Sequence, residues 1–173
     1  MSVIRDLGTS VFSYMYARSL KKQHLYKSKK DKIRKDVVDF EIGDNVGLEV
    51  YWKVLNVAEG PSLIFHAFGY EILRFDTYIN GQGHCHIQLI ECQPKCKERL
   101  FLPETTVEEQ IERAIFELEK NLYYWLQRHP DRQIRLLKID QTRLKIATEK
   151  ARKKMLEYAQ EIKVRSSSTE TVG

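Results

Sequence analysis

Tyr70-Glu-Ile-Leu-Arg-Phe-Asp-Thr-Tyr78 and, beyond Ile79-Asn-Gly-Gln-Gly83, His84-Cys-His-Ile-Gln-Leu-Ile-Glu-Cys92 decide how this chain folds. Apolar and polar residues alternate in both stretches with a period of two, the mark of a strand buried on one face. The intervening segment is too short for a helical crossover, so the two strands run antiparallel. Leu73 and Phe75 on one strand and Cys85, Ile87 and Leu89 on the other supply the apolar positions. If they share the buried face, the numbers of facing residues must sum to an even value. The expected register centres on Gly81 and pairs Tyr78 with His84, Asp76 with His86 and Arg74 with Gln88. The opposite face then gathers Arg74, Asp76, Tyr78, His84, His86 and Gln88. His66 on the adjoining strand is a further candidate whose register the sequence leaves open.

Upstream, Leu48-Glu-Val-Tyr-Trp-Lys-Val-Leu55 reads as a strand with Leu48, Val50, Trp52 and Val54 on one side, and Ala58-Glu-Gly-Pro61 as a turn. Ser62-Leu-Ile-Phe-His-Ala-Phe68 follows, and Gly69 permits a tight turn into the strand at Tyr70. Downstream the helical period takes over. Thr106 with Glu109 has capping-box spacing, and Val107, Ile111, Ala114, Ile115, Leu118, Leu122, Trp125 and Leu126 form one stripe that His129-Pro130 ends. Residues 133–139 read as extended or loop. Asp140 caps a last helix with Leu144, Ala147, Ala151, Met155, Tyr158 and Ile162 on one face. The expected fold is α+β: an antiparallel meander of four to five strands packed on one face by C-terminal helices, with an N-terminal amphipathic helix. The expected organisation is a basic amphipathic segment over 1–40, a single domain over 41–164 and a disordered tail over 165–173.

The chain has 173 residues, 42% hydrophobic and 31% charged, enough for one core without metals or disulfides. The net charge of +5 is concentrated N-terminally, where residues 1–40 hold ten Lys or Arg against four Asp or Glu. Lys21, Lys22, Lys27, Lys29, Lys30, Lys32, Arg34 and Lys35 make the densest part. They follow a stripe of Val11, Phe12, Met15, Tyr16 and Leu20. Such a run is most often a solvated helix face or linker. It also suits a macromolecular partner, a nucleic-acid backbone or, least favoured, an anionic membrane surface. Cys85, Cys92 and Cys96 are odd in number and suggest reduced thiols. No stretch has the length of a membrane span and no apolar segment resembles a signal peptide, so a cytoplasmic location is expected.

The hairpin face can carry chemistry in two ways. Arg74 can hold a phosphate or carboxylate while His84 and His86 transfer a proton and Asp76 orients an imidazole, with Tyr78, Gln88 and His66 completing a ligand site. Alternatively His84, His86 and Asp76 can ligate a metal, since residues two apart on a strand project the same way. The plain alternative is the solvated polar face that antiparallel sheets commonly show. Cys92 and Cys96 lack a second pair at zinc-finger spacing, and no nucleophile elbow or phosphate-cradling glycine loop occurs. No metal and no cofactor is therefore expected.

Glu71-Ile-Leu-Arg-Phe-Asp76 with Gly83-His-Cys-His86, then Glu109-Gln-Ile111 and Phe116-Glu-Leu118, resembles a pattern of small uncharacterised bacterial proteins, cyanobacterial ones among them, over roughly residues 45–160. Cys85 stands where that pattern has a larger residue such as tyrosine. The resemblance implies one bacterial domain and no particular activity. The leading functional expectation is an interaction or regulatory module that engages a protein partner or a second copy of itself through the N-terminal lysines or through Tyr123 and Tyr124. With Trp125 they are consecutive on one helix, so the three cannot all face one core and at least one tyrosine should point outward. A ligand-binding domain or small enzyme using the hairpin face is the alternative, and nucleic-acid binding through 18–35 the second.

Overall fold

Alternation of apolar and polar residues continues further along the chain than the hairpin, and it builds one sheet. The computed structural model describes residues 34–55, 58–78, 81–87, 98–129 and 131–169. Six antiparallel strands lie in chain order: β1 (Arg34–Gly43), β2 (Val46–Val54), β3 (Glu59–Ala67), β4 (Tyr70–Asp76), β5 (His84–Ile87) and β6 (Glu98–Phe101). The helices are α1 (Val107–Lys120), α2 (Leu122–Gln127), α3 (Arg132–Arg135) and α4 (Gln141–Thr169). The architecture is thus α+β with an open meander and C-terminal helices, but with six strands instead of four to five.

β1 was hidden by its charges. Val38 and Phe40 face Val50 and Leu48 across the ladder, while a bulge between Lys35 and Val38 breaks the alternation, with Asp36 at φ +51°. The strand begins at Arg34, so the sheet crosses the boundary expected at residue 40. β6 is four residues long and carries Leu100 and Phe101 half or more exposed, too short and too exposed for a periodicity signal. The expected N-terminal amphipathic helix lies outside the described residues, as do Lys21, Lys22, Lys27, Lys29, Lys30, Lys32 and Gln88.

The helices cover one face. Thr106 and Glu109 form the capping box, and Val107, Ile111, Ala114, Ile115 and Leu118 are buried against the sheet's apolar side. The single helix expected over 107–126 is split at Asn121, whose side chain donates to Glu117 Oε2. Asp131 then caps α3 through the Gln133 amide, where an extended segment or loop was expected. Asp140 Oδ1 accepts from the amides of Thr142 and Arg143, and α4 buries Leu144, Ala147, Ala151, Met155 and Tyr158 against β1–β3. The helical backbone reaches Thr169, past the boundary expected at 164. None of the described helices is long and apolar enough to cross a membrane.

A buried polar face on the sheet

The face of the sheet turned away from the helices carries two adjacent rungs of directly paired residues. One runs Tyr51–Ser62–Asp76–His84–Phe101 from β2 to β6, and the next runs Glu49–Ile64–Arg74–His86–Arg99. The parity argument therefore holds and brings Arg74, Asp76, His84 and His86 together. The register differs from the expected one: Asp76 faces His84, and Arg74 faces His86. The ladder stops at Asp76 because the amide and hydroxyl of Thr77 both bond to the carbonyl of Pro61. Tyr78 cannot pair with His84 because Gln110 of α1 takes its backbone. The Gln110 carbonyl accepts from the Tyr78 amide at 2.8 Å, and its Nε2 donates to the carbonyls of Tyr78 and Glu104. Gly83 passes so close to this side chain that a Cβ there would come within 2.2 Å of Gln110 Oε1. The helical layer thus fixes the loop that leads into the histidines.

Asp76 is the centre of the cluster, and it is fully buried. Ser62 Oγ donates to Oδ1 at 2.8 Å. Around Oδ2 stand Lys53 Nζ at 2.8 Å, His86 Nε2 at 3.2 Å, Arg74 Nε at 3.3 Å and His84 Nε2 at 3.4 Å. The two imidazole Nε2 atoms are 3.0 Å apart. His84 Nδ1 lies 2.9 Å from the carbonyl of Gln82, which can only accept, so that nitrogen carries a hydrogen, and in the neutral tautomer the lone pair falls at Nε2. Arg74 also pairs with Glu71, while Arg34 pairs with Glu49 at 2.6 Å and lies over the Tyr51 ring. Arg34, expected to serve a partner, is thus committed within the sheet.

Burial raises the Asp76 pKa, but the imidazoles of His84 and His86 and the charges of Arg74 and Lys53 outweigh it and hold the carboxyl well below the carboxylate range. Burial lowers His86, with Asp76 opposing and Arg74 adding to the shift. Burial also lowers Lys53 against the pull of Asp76. It raises Tyr51 and Tyr78, chiefly by itself and further through Asp76. Among the described residues, Tyr78 Oη and His86 Nδ1 are buried without a hydrogen-bond partner. The Tyr78 ring stands 5.6 Å from that of His84, and Phe101, two-thirds exposed, lies 5.9 Å away as an apolar lip.

This face is not the solvated surface that an antiparallel sheet commonly shows. Asp76, His84, His86, Tyr51 and Tyr78 are buried, while Lys53 and Arg74 retain side-chain exposures of 19% and 11%. His66 points to the same face two rungs from Asp76, over Gly47, where a Cβ would come within 3.0 Å of its Nε2. Lys53, Ser62, Tyr51, Glu71 and Phe101 escaped the sequence reading. Carrying the parity rule across β2, β3 and β6 would have placed Lys53, Ser62 and Tyr51 there, had those registers been known. Cys85 is buried on the apolar side, and burial pushes its thiol up to about 12.

Two other features stand apart. Tyr123 Oη bonds both the amide and the carbonyl of Ile139, so it fastens the loop before α4; Tyr124 is about half exposed, with Arg128 over its ring. A cleft of about 310 Å³, lined by Ile42, Asp44, Lys138, Asp140 and Arg143 among others, shares no residue with the polar face. The chain matches no family model, no curated protein and no solved structure.

Proposed function

We propose that the chain is a small-molecule-binding domain of enzyme type that takes an anionic ligand on the polar face of its sheet. One observation carries this reading: Lys53 and Arg74, which keep an opening to solvent, both stand on a fully buried carboxylate, Asp76, with Glu71 also on Arg74 and two imidazoles alongside. As pure scaffolding the arrangement is poor value. Burying ions costs several kcal/mol each, and apolar residues of similar volume often serve stability as well or better. An anionic ligand would share the charge of Arg74 and Lys53, meet the Tyr78 hydroxyl, and sit beside the histidine pair where chemistry can follow.

The test is thermal denaturation with dicarboxylates, sugar phosphates and nucleotides, each with and without zinc ions. At least one class is expected to raise the Tm of the wild type and to lose that effect with Arg74→Met. If no class shifts the Tm, or if the shift survives Arg74→Met unchanged, the reading fails.

The interaction-module reading finds a narrower footing in Tyr124, whose exposed ring sits apart from this face. It stands as a second proposal, of a protein partner or a second copy docking on α2. Native mass measurement with Tyr124→Ser tests it, loss of assembly being the supporting result.

A further inference from the structure

We propose that His84 Nε2, His86 Nε2 and Asp76 Oδ2 form a binding site for a divalent transition-metal ion; the inference rests on the anion-binding reading above and names what that ligand would meet. The three atoms make a triangle with edges of 3.0, 3.2 and 3.4 Å. Metal–ligand bonds of about 2.0–2.2 Å place neighbouring donors about 3.0 Å apart at right angles and about 3.4 Å apart in a tetrahedron, so the triangle already has the dimensions of one face of a coordination polyhedron. The three donor atoms already stand at coordinating distances from one another.

Two supporting contacts aim the donors. The Nδ1–H of His84 on the Gln82 carbonyl turns its Nε2 lone pair into the triangle, the arrangement by which metal-ligating imidazoles are ordinarily held. Ser62 occupies Asp76 Oδ1 and leaves Oδ2 as the inward oxygen. Two imidazole nitrogens and one carboxylate oxygen suit zinc or ferrous iron, whereas calcium and magnesium call for oxygen donors. Three protein ligands on one face leave the remaining positions for water or an anion.

Lys53 and Arg74 are the evident objection, since both stand on the same carboxylate oxygen. The Lys53 ammonium occupies the cation's place on Oδ2, and its side chain, 19% exposed, has a route to solvent. Metal entry displaces it from Oδ2 and frees it to neutralise an anion bound beside the ion. Metal and anion therefore strengthen each other's binding.

Equilibrium dialysis and calorimetry of the full chain with zinc, and with cobalt(II) for its ligand-field spectrum, test this. One ion per chain is expected, weakened at least a hundredfold by His86→Gln and tightened at least tenfold by Lys53→Met, which removes the competing cation. Circular dichroism verifies that each variant is folded, and the gain with Lys53→Met does not depend on the histidine variant surviving. Failure of both wild type and Lys53→Met to bind one ion, or binding indifferent to His86→Gln, overturns the metal site. If anions nevertheless stabilise the wild type in chelator through Arg74, only the metal inference falls; if no anion does so with or without metal, the anion reading falls with it.

Discussion

A single Cβ separates a tolerated from an intolerable backbone at Gly60. An added Cβ would stand 1.9 Å from the backbone oxygen of Thr77, the residue that follows the end of β4. Gly60→Ala is expected to cost about 3 kcal/mol or more, since the obstacle is main chain that cannot rotate away. Chemical denaturation measures this; an unchanged midpoint would show that the two segments do not cross as described. His129 makes the second residue-scale prediction. Its ring is buried beside Tyr70, its Nδ1 accepts from the Asp131 amide, and Arg135 donates to its carbonyl. Burial lowers its pKa from 6.5 to about 4, with Asp131 opposing and Arg135 reinforcing. Between those values the unfolded chain binds more protons than the native one. This residue's contribution is therefore intact above pH 6.5 and is lost as pH falls toward 4, at a cost on the order of 3 kcal/mol. The slope of stability against pH over that window should flatten in His129→Gln.

At the scale of elements, Gln110 is the tie between layers. Its side chain, fully buried in α1, holds the backbone of Tyr78 and the carbonyl of Glu104. Gln110→Ala should destabilise by about 1–3 kcal/mol and speed amide exchange at Tyr78, while leaving exchange in β2 and β3 little changed. Equal loosening of all strands would argue against a local tie. The same contact explains what the sequence hid. Alternation in residues 70–78 and 84–92 was enough to place Arg74, Asp76, His84 and His86 on one face, because parity does not depend on knowing the turn. The register does depend on it, and the turn is set by Gln110, a helix residue distant in sequence, and by Thr77 on Pro61. β1 was illegible for a related reason: Lys35 and Asp36 enter a bulge that puts the apolar positions out of step. Thr106, Glu109 and Asp140, whose capping is local, were legible in full.

Across the whole molecule the two faces of one sheet follow opposite rules. The helix-covered face is built from Leu48, Val50, Leu63, Phe65, Leu73 and Phe75 and needs no charge. The other sets the partly exposed Lys53 and Arg74 around the buried Asp76, His84 and His86, the cluster on which the proposed ligand site rests. The sequence showed that this second face was polar but not that it was buried, because burial depends on how the sheet is covered and curved. Chemical-shift mapping of the full chain during titration with succinate, inorganic phosphate and zinc tests this division most directly. Perturbations are expected to concentrate at Lys53, Ser62, Arg74–Tyr78, His84–His86 and Arg99–Phe101. Perturbations confined to the cleft around Asp44, Lys138 and Arg143, or none at millimolar ligand, would contradict it.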